Sequence, residues 1–279
     1  MLGTHLKKFH VNNANNVHWI VTKDLYIVAW QTSNMVGENL SVREKTLEAV
    51  LEEYSKNEVL AAALVFRGGG AMHFIYSSPR YSSDLDFATD TDDYEVLKRN
   101  LGMPIKIDGI MVEPEMRTSD SGILRIKYDW GPKMPKGVVE IAPDKPLDYS
   151  PARGMFSPLL VSSPTEIYAD KIAATAERMT KRGKMKGTDV FDLNYLMSNL
   201  NVRLEDAWSY VPEKLSIHGG IASMTPQLAM QIIDFMLDTD NQELFRMNIR
   251  KTMMPDVYDP ARFKEEYFRR SVDHFKPFT

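Results

Sequence analysis

Two aspartates one residue apart, Asp84-Leu85-Asp86, form the most chemically pointed pattern in this chain. On a strand, residues i and i+2 face the same way, so both carboxylates project together while Leu85 turns to the core. Two like charges that close repel unless a cation lies between them. Mg2+ (or Mn2+) suits that place, because it takes oxygen ligands and keeps positions open for phosphate. Alone, the pair reads more simply as an exposed acidic edge running into the loop Asp90–Asp93. Upstream stands Gly68-Gly69-Gly70. Glycines at a strand-to-helix turn let backbone approach a phosphate with no Cβ in the way, and the helix start offers partial positive charge. By itself such a turn is only a turn. With the short helix after it, the Arg80-Tyr81-Ser82-Ser83 connection and the aspartate strand, it makes one device. The turn cradles a triphosphate and the strand holds the metal. In-line phosphoryl chemistry with two metal ions calls for a third carboxylate. Glu140, within Val138-Val139-Glu140-Ile141, is the best candidate. A charge inside an apolar strand is costly unless it faces a cation or water. An exposed place on a half-solvated strand is the competing reading.

These residues need elements to position them. A capping box at Ser41 and Glu44 predicts a helix from about residue 42 to 56, with Leu47, Val50, Leu51 and Tyr54 on one face. Leu60–Phe66 reads as a helix end followed by a buried strand. A short helix over 71–76, a strand over 84–88 and a helix over 93–101 follow. Strand-like runs cover 105–113, 123–129 and 137–142, separated by prolines. The earlier segment Val17–Ser33 fits either a strand or a one-faced helix. Beyond about residue 155 the pattern is helical, over 164–181, 188–199, 204–210, 226–237 and 260–275. The fold class is therefore α/β (α+β), with a mixed half at 1–157 and a helical half at 158–279.

Arg67 through Asp86 resembles the GG[ST]-(x)n-R-x-S-x-D-[IL]-D motif of the polymerase-β-like nucleotidyltransferase superfamily. More narrowly, the chain is similar to the AbiEii/AbiGii toxin nucleotidyltransferases of abortive-infection and toxin–antitoxin systems. Val21-Thr22-Lys23-Asp24-Leu25-Tyr26 is close to that family's V-E-K-D-[YL]-Y segment, helical there. Tyr168-Ala169-Asp170-Lys171 matches its Y-x-x-(x)-K motif, and Asp189-Val190-Phe191-Asp192-Leu193 its R-D-x-x-D-L motif. Gly70 stands where the family usually has Thr or Ser, Thr188 where it has Arg, and Arg67 where it often has Lys. The resemblance implies a polymerase-β-like core, N-terminal helices, and a C-terminal helical region completing the active site. The implied reaction moves a nucleoside monophosphate from an NTP to an acceptor, first of all the 3′ end of tRNA. Asp84, Asp86 and Glu140 would hold the metal, and Glu140 could help deprotonate the acceptor. Gly68, Gly69 and Ser83 would touch phosphates, with Arg67 and Lys171 neutralising charge. Asp189 would orient Lys171 or act as a base, while Asp192 reads as an anchor of the helix or its neighbours. A cognate antitoxin is the implied partner, and phage defence the implied setting.

On the helix over 164–181, Lys171, Ala174, Thr175, Arg178 and Arg182 share a stripe. Five of the nine residues from Arg178 to Lys186 are basic: Arg178, Lys181, Arg182, Lys184 and Lys186. They read as an RNA-backbone contact or as a solvated helix end favoured by its dipole. Nucleotidylation of a protein hydroxyl is the second enzymatic reading, and a non-catalytic nucleotide- or antitoxin-binding module the third.

With 34 basic and 38 acidic residues, a net charge of −4 argues against a generic polycationic nucleic-acid binder, so any polyanion must meet a local patch. No Cys is present, which excludes a disulfide scaffold, a thiolate metal site and a cysteine nucleophile. The histidines show no metal-ligand spacing, and His73 reads as a packed helix residue. Apolar runs are far shorter than the roughly 20 residues that span a bilayer. The first residues lack the apolar core of a signal peptide, so the expected location is the cytoplasm.

Overall fold

The structure is a computed structural model that describes residues 36–131, 136–219, 221, 223–253 and 257–279. The Val17–Ser33 segment, with its V-T-K-D-L-Y match, lies outside the described residues. A long helix α1 (Val36–Lys56) and a short α2 (Glu58–Ala63) lead into strand β1 (Val65–Arg67). Asn57 caps α2, its side chain accepting from the N–H groups of Val59 and Leu60. Helix α3 (Gly68–Phe74) starts on the first glycine, and strand β2 (Leu85–Ala88) carries the second aspartate. Helix α4 (Tyr94–Leu101) is capped by Asp93. Strands β3 (Ile105–Ile107), β4 (Ile110–Val112), β5 (Pro114–Thr118), β6 (Leu124–Tyr128) and β7 (Gly137–Ala142) follow, then β8 (Tyr149–Pro151) and β9 (Leu160–Ser162).

Seven strands form one mixed sheet in the order β5-β6-β7-β2-β1-β9-β8, and β3 and β4 form a separate hairpin. Along β7, Gly137, Val139 and Ile141 are buried while Val138, Glu140 and Ala142 are half-buried. That alternation packs one face and leaves Glu140 on the other. Tyr54 of α1 packs on Phe87 of β2 and its hydroxyl pairs with that of Tyr128 at 3.0 Å, so α1 covers the packed face.

The helical part holds α5 (Pro164–Arg182), α6 (Gly187–Asn199), α7 (Leu204–Ala207), α8 (Val211–Gly219), α9 (Pro226–Leu237), α10 (Thr239–Thr252) and α11 (Glu265–Ser271). Ser163 caps α5, Pro164 opens it, and Gly183 in the left-handed region ends it. Residues from Leu47 to Phe275 join one hydrophobic core. Strand β9 pairs in parallel with β1, so the sheet continues past residue 157 into the part that composition reads as helical.

Several expected boundaries are corrected. Helix α1 runs through Ser41 to Val36, and Glu44 pairs with His73 at 2.8 Å, so the capping box does not open it. The run 105–113 is the β3–β4 hairpin and not one strand, because Asp108 and Gly109 both have positive φ and make a tight reversal. Strands β8 and β9, at three residues each, and helices α8 and α10 carry little sequence signal. The stretch 260–275 is broken into two 3₁₀ turns flanking α11.

Candidate active site

At the end of β1 the chain reverses at Gly68, whose φ of +68° favours glycine. A Cβ on Gly68 would stand 2.5 Å from Asp86 Oδ2, and one on Gly69 would stand 2.5 Å from Arg80 Nη2. The turn therefore lies directly against a carboxylate and a guanidinium, and any side chain would push them away. At Gly70 a Cβ would meet the Phe66 ring at 2.9 Å. That packing leaves no room for the hydroxyl residue expected by resemblance.

Sheet register sets the charges in a row. Arg125 of β6 lies opposite Glu140 of β7, Glu140 opposite Asp86 of β2, and Asp86 opposite Arg67 of β1. The order is cation, anion, anion, cation. Arg125 Nε donates to Glu140 Oε1 at 2.8 Å, and its Nη2 reaches the same oxygen. Among the described residues no hydrogen bond or ion pair of this kind reaches Asp86. Burial first, then the negative charge of Asp84, push its carboxyl up to about 7, although Arg67 and Lys171 pull the other way. Asp84 sits just before β2 and accepts weakly from Ser82 Oγ at 3.4 Å. Ser83 is exposed, whereas Ser82 is buried next to the Gly69 turn. Among the described residues no three His, Asp or Glu side chains gather closely enough to hold a metal ion. Two carboxylates with an unbalanced charge still fit a hard divalent cation that completes its shell with phosphate oxygens. Glu140 is next to them in register but is engaged by Arg125.

Lys171 of α5 lies 3.1 Å from Asp189 Oδ1 and 2.7 Å from Asp192 Oδ2. Burial alone would lower its ammonium, but Asp192 and Asp189 outweigh that and raise it. Arg178 reaches the other oxygen of Asp189. Arg80 Nε and Nη2 take both oxygens of Asp192 at 2.8 Å each. The sequence points to Asp189 and Lys171 but not to Arg80, and the neighbours that Asp192 anchors are Arg80 and Lys171. The signal was present, since Arg80 begins the Arg-Tyr-Ser-Ser connection.

Arg67 belongs to a second cluster. Its Nη1 is 2.6 Å from Asp144 and 3.7 Å from Asp170, while its register partner is Asp86. Asp170 also lies 3.4 Å from Lys214, which pairs with Glu166. Glu166 accepts in turn from the N–H groups of Leu147 and Asp148. In the basic run, Arg178 turns inward and Lys181 pairs with Glu177 at 2.8 Å. Arg182, Lys184 and Lys186 remain exposed. His73 is buried against the Ser78 carbonyl and Glu44, as a packed residue.

The family model described as "Nucleotidyl transferase AbiEii toxin, Type IV TA system" matches residues 49–274. Among solved structures, the MenT4 nucleotidyltransferase toxin of Mycobacterium tuberculosis H37Rv is 17% identical, with a TM-score of 0.57, covering 88% of this chain and 89% of that one. A candidate nucleotidyltransferase of Helicobacter pylori is 16% identical, with a TM-score of 0.51, covering 86% and 96%. At such identities these two show a shared fold. A comparison with curated proteins gives no match.

Proposed function

This chain belongs to the AbiEii nucleotidyltransferase toxin family of type IV toxin–antitoxin systems, and from that premise we propose that it transfers a nucleoside monophosphate from an NTP to the 3′ end of an RNA, tRNA first. The observation that carries this reading is the Gly68 turn set against Asp86, with Asp84 and Lys171 both acting on that carboxylate. The acceptor hydroxyl gives up its proton, with Glu140 as the base, its oxygen bonds to the α-phosphorus, and the bond from that phosphorus to pyrophosphate breaks. Backbone N–H groups at Gly68 and Gly69 face the phosphates with no Cβ between. Lys171 and Arg178 neutralise the triphosphate from the helical side. Asp189, with one oxygen on each of them, fits the orienting role. Asp84 and Asp86 would hold Mg2+ or Mn2+, which supplies charge stabilisation on the phosphate oxygens. Glu140 would join that set by exchanging Arg125 for the cation. The basic residues Arg182, Lys184 and Lys186 would guide an RNA backbone past this site.

An antitoxin partner follows from the family, and action on cytoplasmic RNA with a role in phage defence belongs to the same proposal. Among the described residues no helix is long and apolar enough to cross a membrane. The test is incubation with total RNA, Mg2+ and each labelled NTP in turn. Label on RNA, lost on adding EDTA, is the expected result. Label on protein instead would replace the acceptor with a protein hydroxyl. Labelling undiminished by excess EDTA would overturn the metal-assisted reading.

A further inference from the structure

The guanidinium of Arg80 is buried and serves three contacts at once. Two of its nitrogens hold the two oxygens of Asp192, and Nη1 donates to the Tyr81 carbonyl at 3.0 Å. Nη2 also fills the space in which a Gly69 Cβ would stand. Asp192 has no exposed surface, and the oxygen that takes Arg80 Nη2 also takes Lys171. A planar fork with fixed donors thus spans the gap between the glycine turn and the lysine. The loop carrying it is pinned by the C-terminal helices. The Tyr81 N–H donates to the Thr252 carbonyl at 2.7 Å, and Arg80 bridges Met253 in antiparallel fashion. Helix α10, which ends at Thr252, also meets the start of α6. A Cβ on Gly187 would strike the Phe245 backbone at 2.6 Å. One helix therefore holds both the Arg80 loop and the helix that carries Asp189 and Asp192.

We infer that Arg80 and Asp192 are positioning residues for Lys171: the fork fixes the carboxylate, and the carboxylate fixes where the ammonium meets a triphosphate lying over Gly68 and Gly69. This rests on the triphosphate reading of the site. Simple Coulomb attraction points the other way. Asp192 is an anion next to Lys171, so removing its charge would by itself tighten the binding of another anion. Positioning requires that binding weaken. The two accounts differ in sign, which makes the question decidable.

The experiment is calorimetric titration of inorganic tripolyphosphate, in Mg2+, into the full chain, so that no choice of base or acceptor enters. Wild type is compared with Asp192→Asn, Asp192→Glu, Arg80→Lys, Lys171→Ala and the Asp192→Asn/Lys171→Ala double variant. A thermal melt checks that each is folded. Asp192→Asn should weaken binding about tenfold, as the loss of a well-placed charged contact does. Asp192→Glu keeps the charge but shifts it by one methylene, and should weaken binding too. Arg80→Lys should do the same, because an ammonium cannot form the fork. The double variant should bind no worse than Lys171→Ala, since the two act through one group. Unchanged or tighter binding by folded Asp192→Asn, or losses that multiply in the double variant, would overturn the inference. Should Asp192→Asn not fold, unchanged binding by Asp192→Glu and Arg80→Lys would overturn it equally. If wild type binds no tripolyphosphate, the triphosphate reading falls and takes this inference with it. Binding by wild type with no change in the variants overturns the inference alone.

Discussion

Helix α5 sends Glu166 and Asp170 into one charge cluster and Lys171 into another, joined there by Arg178, and the clusters differ in what they leave over. Around Asp170, Arg67 and Lys214 face Asp144, Asp170 and Glu166, and Lys214 has no exposed side-chain surface. Among the described residues around Lys171, three cations (Arg80, Lys171, Arg178) face two carboxylates (Asp189, Asp192), and Arg178 keeps 24% of its side chain exposed. Among the described residues the first cluster has no surplus cation and is sealed around Lys214, though at its edge His218, 3.3 Å from Asp170, keeps 24% of its side chain exposed. The second has a surplus cation and an opening, and lies near an aspartate pair with surplus negative charge. Buried ion pairs are weak evidence for stability and are lost at great cost when halved. A cluster whose lysine is sealed in and which has no surplus cation therefore fits a structural clamp between the sheet and the helices, and one with a surplus cation beside an opening fits a site for an anionic ligand.

The largest expected effect falls on the unbalanced side. Asp84→Ala or Asp86→Ala should reduce transfer on the order of 10³-fold, as removal of a key transition-state contact does. Folding should survive, because each substitution relieves repulsion between the two carboxylates. Labelled transfer and a thermal melt on the same samples check this. Near-normal transfer in either variant would break the contrast with the sealed cluster.

The sealed cluster should respond in the opposite way. Lys214→Met leaves Glu166 and Asp170 with less compensation inside the protein, and should cost about 3–5 kcal/mol of stability. Urea unfolding measures it. The loss should appear in stability before it appears in turnover at low temperature. A change under about 1 kcal/mol, a value ordinary for exposed pairs, would show that Lys214 is not a clamp.

Proton linkage separates the clusters again, with opposite signs. Asp86 is raised from 3.8 to about 7, so its contribution to stability is full below pH 3.8 and is lost as pH rises through about 7. Burial would raise Asp170, but Arg67, His218 and Lys214 outweigh it and hold its carboxyl well below 3.8. Its contribution is present above that value and is lost as pH falls below it. Melting temperature without metal should therefore rise from pH 8 to pH 5 and fall in stronger acid. The rise should be on the order of a few degrees, and Asp86→Asn should flatten it. At pH 8, Mg2+ should raise the melting temperature of wild type more than that of the variant. A wild-type melting temperature that climbs from pH 5 to 8 without metal would contradict the uncompensated state of Asp86.

What the sequence made legible follows the range of the interactions. The helix starts at about residues 93 and 164 and the strand carrying Glu140 are local, and each stands where residue types place it. The aspartate pair and the glycine turn were legible because both rest on backbone geometry within a few residues. The contacts that shape the site are long-range. Arg80 and Asp192 are 112 residues apart, and Arg67 and Asp144 are 77 apart. Periodicity carries no information on such pairs, so neither Arg80 as the partner of Asp192 nor Asp144 as the partner of Arg67 is legible. The short strand β9 owes its place to pairing with β1, and β8 to pairing with β9, which propensity over three residues cannot signal. Helix α10 begins in a polar stretch, Thr239-Asp240-Asn241-Gln242, that looks like a linker until Asp238 caps it.

The smallest expected effect concerns the rim of the open cluster. Of the five basic residues from Arg178 to Lys186, the structure draws Arg178 to Asp189 and Lys181 to Glu177, which leaves Arg182, Lys184 and Lys186 exposed. An RNA backbone passing the site would meet those three. Replacing all three with Gln should weaken RNA binding modestly at physiological salt, with more to see in the salt dependence. Each lost contact to a single strand should flatten the slope of log affinity against log salt by roughly 0.7. Three contacts would therefore remove about 2 from the slope. Tripolyphosphate binding should hold nearly constant, because none of the three touches the Lys171 network. The measurement is an RNA titration at several salt concentrations beside the tripolyphosphate titration. Equal losses in both would mean that the rim supports the inner cluster and that the two regions are one. An unchanged RNA slope would make these residues a solvated helix end, with Lys and Arg favoured there by the helix dipole, and would move a protein hydroxyl ahead of RNA as the acceptor.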